Sequence, residues 1–343
     1  MQRPWLSILM PVYRVGEALD ECLRSIFDQQ ADGFEVILVS DGCDAEETAR
    51  MRAWAARHPA SMRIVDHPTN LGVSAARNTL LGAARGAYLW FFDPDDIMEP
   101  GALARLERLL AEQRPDLVMC DFRTFDDVPV PASGVPASSV HRSHVRVFEG
   151  ASEVLSHSRE ALVAGLFRTG QFHPWSKIVR RGAWPSGLVF PVGRVFEDLA
   201  VFPRVALGAA THWHVPQVWV SYRQRARSLL SSLDEKKLDD WTLALSGFAG
   251  DLRASSLRQD PRMVFEVSHF CARTLLRAVR RHDRLAPWPG AAQRLRNYVD
   301  RWRLSSPMDA DQLARAYLAR GMLGRWAQWL WTMQRLARRS RAT

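Results

Sequence analysis

Short apolar runs alternate with amphipathic segments through the first 120 residues of the chain. The runs LSILMPVY and FEVILVSDG are apolar almost throughout, which is typical of parallel strands buried on both faces. Between them, apolar side chains recur at the spacing of one helical face, at Leu19, Cys22, Leu23, Ile26 and Phe27. The alternation continues through MRIVDH, GVSAARNTLLGAARG, AYLWFFD, PGALARLERLLAEQ and PDLVMCDF. It predicts an α/β fold with a mostly parallel central sheet flanked by helices.

The pattern changes after this first part of the chain. Residues 124–147 are rich in Pro, Ser and Val, so they form either a long loop or a hairpin over the edge of the sheet. A mixed region follows to about residue 230, and from roughly residue 234 the pattern is helical, with abundant Arg and Trp. We therefore predict a division into residues 1–230, which carry the sheet, and residues 231–343, a C-terminal helical region.

Composition and charge narrow the class of protein only in part. The 343 residues are 47% hydrophobic, enough for a substantial core, and 46 Lys and Arg against 37 Asp and Glu give a net charge of +9. That excess suits nucleic acid, anionic lipid or a phosphorylated small molecule without choosing among them. The four cysteines form no C-x-x-C pair, and no apolar stretch approaches the ~20 residues of a membrane span. The expectation is a cytoplasmic protein with reduced thiols, and attachment to the inner face of the membrane stays open.

Polar groups follow three of the predicted strands. The first strand ends at residues 11–13 (PVY), the second at residues 40–42 (SDG) and the fourth at residues 93–96 (DPDD). Because neighbouring parallel strands end at the same edge of a sheet, these groups are expected within reach of one ligand.

The acidic cluster after the fourth strand has two interpretations. The chain lacks a G-x-G-x-x-G sequence after the first strand and any Walker A sequence, so a metal is the obvious partner for bound phosphates. Asp93 and Asp95 offer the hard oxygen ligands that Mg²⁺ or Mn²⁺ takes. Alternatively, this is a tight turn in which Asp96 caps the helix that starts near Pro100.

Three further residues near the strand ends also have two interpretations each. Asp41 either accepts a hydrogen bond from a nucleobase or forms an Asx turn, and Tyr13 either stacks on a base or closes the core. Arg77 either reaches a phosphate or makes a structural salt bridge. Pro11, Tyr13, Asp41 and Arg77 are taken together as candidate substrate-binding residues.

The ordered series of motifs resembles family 2 glycosyltransferases with a GT-A fold. The resemblance is carried by residues 7–47 and by NLGVSAARNTLLGAARGAYLWFFDPDDIMEPGAL, and more weakly by HPWSKIVRRGAW, FEDLAVFPRVALGA and SYRQRARSL. It covers about residues 5 to 230 and implies a Rossmann-like nucleotide-sugar-binding and catalytic domain. It further implies an inverting enzyme that moves a sugar from a nucleotide-diphosphate donor to an acceptor hydroxyl.

The resemblance also implies roles for the strand-end residues. Tyr13 and Asp41 match the positions that hold the donor's base. Asp93 and Asp95 match the D-x-D motif, with Asp95 the direct ligand of a divalent metal (Mn or Mg). The second strand departs from the family's Asp-Asp-Gly-Ser pattern, because Ser40 replaces the first acidic residue.

The resemblance also implies roles for residues in two later segments. In FEDLAVF, Asp198 matches the general base and Glu197 precedes it. Such a carboxylate would remove the proton of the attacking hydroxyl on the face of the sugar opposite the leaving group, which inverts the anomeric centre. Arg223, Arg225 and Ser228 match a segment that approaches the donor phosphates, where cations stabilise the leaving group. The alternative for Glu197 and Asp198 is a charged helix N-terminus.

The expected partners are a nucleotide-diphosphate sugar and a glycan or lipid-linked acceptor of cell-surface polysaccharide or glycolipid synthesis. No nucleic acid is expected. The C-terminal tail, GRWAQWLWTMQRLARRSRAT, mixes Trp and Leu with Arg at helical spacing, so it is either an amphipathic element for an anionic membrane surface or a packed terminal helix.

Two other functions remain as alternatives at this stage. A metal-dependent nucleotidyltransferase would also use an Asp pair, although it would normally carry a Gly-rich or basic loop after the first strand. A non-catalytic basic protein that binds membrane or nucleic acid would explain the charge and leave the strand-end carboxylates without a purpose.

Overall fold

The computed structural model describes residues 3–126, 143–224, 233–257, 259–285 and 290–341. Within these ranges the chain forms nine strands and twelve α-helices. None of the helices described is both long enough and apolar enough to cross a bilayer. The strands are β1 (Leu6–Val12), β2 (Phe34–Asp41), β3 (Met62–His67), β4 (Tyr88–Phe91), β5 (Ile97–Met98), β6 (Leu117–Asp126), β7 (Ser143–Val145), β8 (Lys177–Arg180) and β9 (His212–Gln224). The helices are α1 (Ala18–Phe27), α2 (Ala45–Arg57), α3 (Val73–Ala83), α4 (Ala102–Glu112), α5 (Arg159–Thr169), α6 (Glu197–Gly208), α7 (Glu235–Leu243), α8 (Phe248–Ala254), α9 (Pro261–Leu285), α10 (Ala291–Ser305), α11 (Ala310–Ala319) and α12 (Leu323–Arg341).

All nine strands belong to one sheet with the order β3-β2-β1-β4-β8-β6-β9-β5, and β7 pairs with β6. The first four strands in this order are parallel, as predicted, with Leu6 of β1 opposite Phe34 of β2 and Tyr88 of β4. The other half is mixed, because β8, β5 and β7 run antiparallel to their neighbours while β6 and β9 are parallel. The carboxyl ends of β1, β2 and β4 therefore lie together at one edge.

The apolar pattern of the first half becomes its core. All eight residues of β2 and all four of β4 are buried. Helix α1 buries Leu19, Cys22, Leu23 and Ile26, which confirms the predicted face. Helix α3 is rich in small residues and packs close to β1 and β2, with Ala76 and Leu80 buried.

A buried carboxylate joins the later strands. Asp121 of β6 accepts hydrogen bonds from His214 Nε2 of β9 and from His144 Nε2 of β7, both at 2.9 Å, and from the backbone N–H of Val147. His214 is fully buried, and its bond to Asp121 joins β9 to β6 within the sheet. Strand β7 folds back on β6, while residues 127–142, on which the loop-or-hairpin prediction also falls, lie outside the described residues.

The chain divides into two compact units. The first comprises Met1–Ser158, Phe172–Gly193 and Gly208–Ser228, and it contains the sheet. The second comprises Arg159–Gln171, Arg194–Leu207 and Leu229–Thr343. The start of the third stretch, at Leu229, lies close to the division predicted at residue 230. The prediction did not include Arg159–Gln171 and Arg194–Leu207 in the second part of the chain. They join the second unit because α5 is apolar nearly all round and packs on α9, with the Phe167 ring against Phe248 and Phe270.

The C-terminal helix α12 packs within the second unit. The side chain of Trp329 is fully buried and donates a hydrogen bond from Nε1 to the carbonyl of Ala310, and Leu336 is also buried. Arg335 and Arg339 both pair with Asp283 of α9. Of the two sequence-based interpretations, the packed terminal helix describes these side chains.

Candidate functional site

A cavity of about 380 Å³ opens at the carboxyl ends of β1, β2 and β4 in the first unit. Its volume lies within the range of small-molecule sites. Six residues predicted from the sequence line it together. They are Pro11, Tyr13, Asp41, Arg77, Asp93 and Asp95, and the remaining wall comes from Val12, Val15, Asn70, Gly72, Val73 and Pro94.

The loop after β1 carries the Tyr13 ring, which is 40% exposed, and a buried glutamate holds that loop in place. Glu47 of α2 accepts the backbone N–H groups of Arg14, Val15 and Gly16 at 2.8, 2.5 and 3.2 Å. Although burial acts in the opposite direction, these bonds and one from Cys43 hold the pKa of Glu47 below its usual value. Tyr13 therefore stands on a fixed loop with its ring accessible from the cavity.

Asp41 at the end of β2 organises the opposite wall. Its carboxylate accepts hydrogen bonds from the backbone N–H groups of Leu71 and Gly72, from Asn70 Nδ2 and from the His67 ring, at 2.7 to 3.0 Å. An ionised carboxylate can accept about four hydrogen bonds, so these four donors use all of its acceptor positions. The residue lines the cavity, yet its bonds run within the protein and fix the 70–72 turn.

Arg77 and Asp93 form a pair at the floor of the cavity. The nearly buried Arg77 guanidinium lies 3.1 Å from Asp93 Oδ1, and it stands over the Phe190 ring. The salt bridge considered from the sequence is therefore present. Since both residues also line the cavity, the pair presents a positive and a negative group to a ligand.

The third carboxylate of the cluster has a role that the sequence did not predict. Asp96 is fully buried and accepts the backbone N–H of Arg223 at 2.9 Å, while its other oxygen has no hydrogen-bond partner among the described residues. Burial, together with the charges of Asp93 and Asp95, raises the pKa of Asp96 well above its usual value. The expected helix cap was wrong, because α4 begins after Gly101 and Asp96 instead ties the acidic turn to β9.

Arg223 supports the same turn from β9. Its Nε donates to the carbonyl of Asp95 at 2.8 Å and its Nη2 pairs with Glu21 of α1. This arginine was expected near the donor phosphates, and the bonds observed hold the backbone of the acidic turn. Arg225 and Ser228, predicted for the same segment, lie outside the described residues.

The acidic turn fits a metal that is shared with a ligand. No group of three or more His, Cys, Asp or Glu side chains that could hold a metal by itself occurs in the part of the chain that the structure describes. Two carboxylates, Asp93 and Asp95, nevertheless face one cavity. Mg²⁺ commonly uses one or two protein carboxylates and takes its other oxygens from phosphates and water, and the donor set here suits that arrangement.

His173 lies near enough to Asp93 and Arg77 to interact with their charges, and it was not predicted from the sequence. Its ring stacks on Trp175 with a centroid distance of 4.9 Å, and Phe122 meets it edge-on. Burial and the positive charge of Lys177 lower the pKa of His173 to about 4, although the negative charge of Asp93 acts in the opposite direction. The imidazole is therefore neutral at pH 7. Its histidine-proline-tryptophan context was the only sequence signal.

Glu197 and Asp198 begin α6, which belongs to the second unit. Both side chains are half-buried, and the backbone N–H of Leu199 lies 2.7 Å from Asp198 Oδ1. The preceding Phe196 has a φ of 61°, which a bulky residue rarely adopts, and its ring stacks on Trp241. A strained residue thus sets the start of this helix, and the assignment of Asp198 as general base stays a prediction.

Comparison with known proteins gives a family match in the first half of the chain. Residues 7–153 match the model described as Glycosyl transferase family 2. EpsJ of Bacillus subtilis (strain 168), named an uncharacterized glycosyltransferase, is 35% identical over 119 residues, or 35% of this chain and 34% of EpsJ. GgaB of the same organism, a minor teichoic acid biosynthesis protein, is 32% identical over 114 residues, or 32% of this chain and 12% of GgaB. The chain thus spans about a third or less of these relatives' length.

The fold extends the similarity beyond the matched segment. The S. aureus TarS fragment 1–349, solved in complex with UDP, superposes with a TM-score of 0.66 at 17% identity, covering 92% of this chain and 87% of that one. Identity this low establishes the fold alone. The GT-A-type fold with C-terminal helices, expected from the sequence, is confirmed.

Proposed function

We propose that the chain, whose residues 7–153 match the glycosyl transferase family 2 model, transfers a sugar from a nucleotide-diphosphate donor to a hydroxyl group of an acceptor. The observation that carries the proposal is that an accessible aromatic ring and two carboxylates face the same cavity, at the ends of β1, β2 and β4. Those groups suit the two ends of a nucleoside diphosphate, its base and its metal-bound phosphates.

The donor nucleotide is proposed to be UDP, the ligand in the TarS structure of the same fold. Tyr13, with its ring exposed, stacks on the base. Asp41 acts chiefly through the turn it holds, because its acceptor positions already receive Asn70, Leu71, Gly72 and His67. The base would therefore meet a rigid wall.

Asp93 and Asp95 are proposed to hold a divalent cation, Mn²⁺ or Mg²⁺, together with the diphosphate. When bound, the cation would neutralise charge on the leaving nucleotide. Arg77 keeps Asp93 in place and adds a positive charge at the cavity. Arg223 fixes the backbone at Asp95, so the carboxylate stands ready before the ligand arrives.

Asp198, with Glu197 before it, is proposed as the general base of a direct, inverting displacement. The acceptor hydroxyl loses its proton to the carboxylate while its oxygen attacks the anomeric carbon, and the nucleoside diphosphate leaves from the opposite face. The half-buried position of Asp198 at a helix start supports a fixed carboxylate.

The acceptor is proposed to be a glycan or lipid-linked glycan of the cell surface, met in the cytoplasm at the inner face of the membrane. The support comes from GgaB, whose name assigns it to teichoic acid biosynthesis and whose matched segment is 32% identical.

Calorimetry with UDP, GDP and TDP, each with and without Mn²⁺, tests the donor site. We expect UDP to bind in the presence of Mn²⁺, and Asp95→Asn to weaken that binding at least tenfold, since a direct charged contact contributes about 1.5–3 kcal/mol. Asp66→Asn, an exposed change on β3, is the control and should bind as the native chain does. UDP binding that needs neither Mn²⁺ nor Asp95 would remove the metal assignment, and a chain that binds none of the three nucleotides would contradict the proposed function.

The variant Asp198→Asn distinguishes a role in sugar transfer from a role in binding UDP. Loss of a general base typically costs a factor of 10² to 10⁴ in rate, so sugar transfer should fall by about that much while the affinity for UDP is unchanged. Transfer is measured by the release of UDP in the presence of acceptor. A variant that retains its turnover would exclude Asp198 as the base.

A further inference from the structure

The positive charge of the chain is concentrated in its C-terminal quarter. Residues 261–343 contain 17 arginines, no lysine and five acidic residues, a balance of 17 − 5 = +12. The other 260 residues contain 29 basic and 32 acidic residues, a balance of 29 − 32 = −3 within the total of +9. The basic character noted from the composition therefore belongs to helices α9 to α12.

Several of these arginines are neutralised and others are not. Arg294, Arg301, Arg335 and Arg339 pair with aspartates of the same unit. Over the described ranges, no ion pair is formed by any of Arg273, Arg277 and Arg325.

The three unpaired arginines lie close enough to repel one another. Arg273 and Arg277 are one helical turn apart on α9, and Arg325 lies in the first turn of α12. Burial, followed by the charges of Arg277 and Arg325, lowers the pKa of Arg273 below its usual value. The negative charge of Glu266 offsets this repulsion in part, and a bound anion would offset more of it.

Exposed leucines flank the arginines at the turn between α11 and α12. Leu318 is 44% exposed and Leu323 is 62% exposed. Arg320, between them, is exposed and lies over the Phe265 ring of α9 at 3.9 Å, which anchors the turn to that helix. We name Arg273, Arg277, Arg320, Arg325, Leu318 and Leu323 the α9–α12 patch. Basic and apolar side chains presented together are typical of elements that lie on an anionic bilayer.

We propose that the α9–α12 patch binds the phosphate groups of an anionic bilayer, with Leu318 and Leu323 entering the headgroup layer. The contact shares Arg325 with the C-terminal tail considered from the sequence, and it does not use the tail's Trp329 and Leu336, which are buried. Lipid is favoured over a soluble polyanion because a polyanion gives the two leucines no reason to be exposed. The site lies in the second unit and does not depend on the donor cavity.

Co-sedimentation of the full chain with vesicles tests the proposal. Vesicles of 70% phosphatidylcholine and 30% phosphatidylglycerol should bind the chain, pure phosphatidylcholine vesicles should not, and 0.5 M NaCl should release it. Each arginine near an anionic surface contributes about fivefold in affinity. The triple variant Arg273→Gln, Arg277→Gln and Arg325→Gln should therefore bind on the order of a hundredfold more weakly.

Two further variants test whether vesicle binding depends on the α9–α12 patch itself. Arg52→Gln, Arg85→Gln and Arg108→Gln remove the same charge from exposed positions of the first unit and should leave vesicle binding within about twofold. Leu318→Ser with Leu323→Ser should weaken binding about tenfold or more, because apolar burial is lost. Circular dichroism melts identical to that of the native chain confirm that each variant is folded.

Three results would overturn the proposal. One is the absence of any preference for anionic vesicles, and another is an equal loss of binding in the two arginine triples. The third is binding that tripolyphosphate abolishes at micromolar concentration while the leucine variant binds like the native chain, which would identify a site for a soluble polyanion. None of these outcomes bears on UDP binding, so the proposed transferase function is tested separately.

Discussion

Gly42 occupies a position in which no other residue fits the present backbone. It follows Asp41 at the end of β2 with a φ of 72°, and a Cβ placed there would lie 2.3 Å from the backbone nitrogen of Asn70. Both the left-handed conformation and the close approach of the 70–72 turn depend on the missing side chain. The wall of the cavity formed by the 70–72 turn is thus built on backbone contact as well as on the Asp41 carboxylate.

Gly42→Ala and Gly16→Ala form a matched pair, because Gly16 has a φ of 70° and open space around its Cβ position. Gly16→Ala should cost only the strain of the left-handed region, about 1–2 kcal/mol in the free energy of unfolding. Gly42→Ala should cost at least about 1–3 kcal/mol more, because the turn must move. Urea denaturation measures both free energies of unfolding, and equal losses would contradict the clash.

The sequence predicted which residues lie near one another at the strand ends, and it did not predict all of their contacts. The strand-end pattern correctly placed Pro11, Tyr13, Asp41, Asp93 and Asp95 near one another, because all five line one cavity. The bonding of Asp96 was not predictable, because its partner Arg223 is 127 residues away and no local pattern joins them. Likewise, three of the four donors on Asp41 (Asn70, Leu71 and Gly72) belong to a turn whose path is decided by tertiary structure.

At the scale of elements, helix α2 controls the loop after β1 through one side chain. Glu47 is 5% exposed and receives three consecutive backbone N–H groups of that loop. A helix and a strand end that are distant in sequence therefore act as one support for Tyr13.

Glu47→Gln should lower the free energy of unfolding at pH 7 by about 1–3 kcal/mol, since bonds to a charged acceptor are lost. The pKa of Glu47 is lowered in the folded chain, so its contribution is present above the unfolded pKa of 4.5 and is lost as the pH falls through the folded value. The stability difference between native and variant chains should accordingly shrink below about pH 4.5.

Urea titrations at pH 7, 5, 4 and 3.5 follow that difference. Glu46→Gln is the control, because the Glu46 side chain is 85% exposed and its change should stay within about 0.5 kcal/mol. A native-to-variant difference that is constant over this pH range would refute the linkage to Glu47.

The sequence predicted elements well where burial is local. β1 to β4, β6 and the helices between them follow from apolar runs and helical spacing. The two-residue β5 and the antiparallel β8 were not predicted, because each exists only through pairing with a strand far along the chain.

For the whole molecule, the second unit is assembled from three separate stretches of the chain, and this decides which fragments can fold by themselves. Helices α5 and α6 precede residue 230 and belong with α7 to α12. Of α5, the six residues from Leu162 to Phe167 are buried. Their burial is expected to contribute several kcal/mol, at about 1.5–3 kcal/mol for each large apolar side chain.

A fragment of residues 1–230 should therefore fail to fold as a stable domain. Its α5 and α6 faces lose their partners, so we expect aggregation or strong binding of a hydrophobic dye, measured by size-exclusion chromatography and ANS fluorescence. Co-expression with residues 231–343 should restore a complex that elutes as the native chain does. A soluble 1–230 fragment with cooperative unfolding would show that the two early segments do not need the later helices.

The division of the second unit among three stretches also affects its synthesis. Helix α5 leaves the ribosome complete at Thr169, whereas α9, against which it packs, ends at Leu285. At about 5–20 residues per second, the apolar α5 surface waits ~6–23 s for its partner. The nascent chain consequently exposes the apolar surface of α5 while 116 of its 343 residues are synthesised, and a ribosome-associated chaperone could bind that surface during this time.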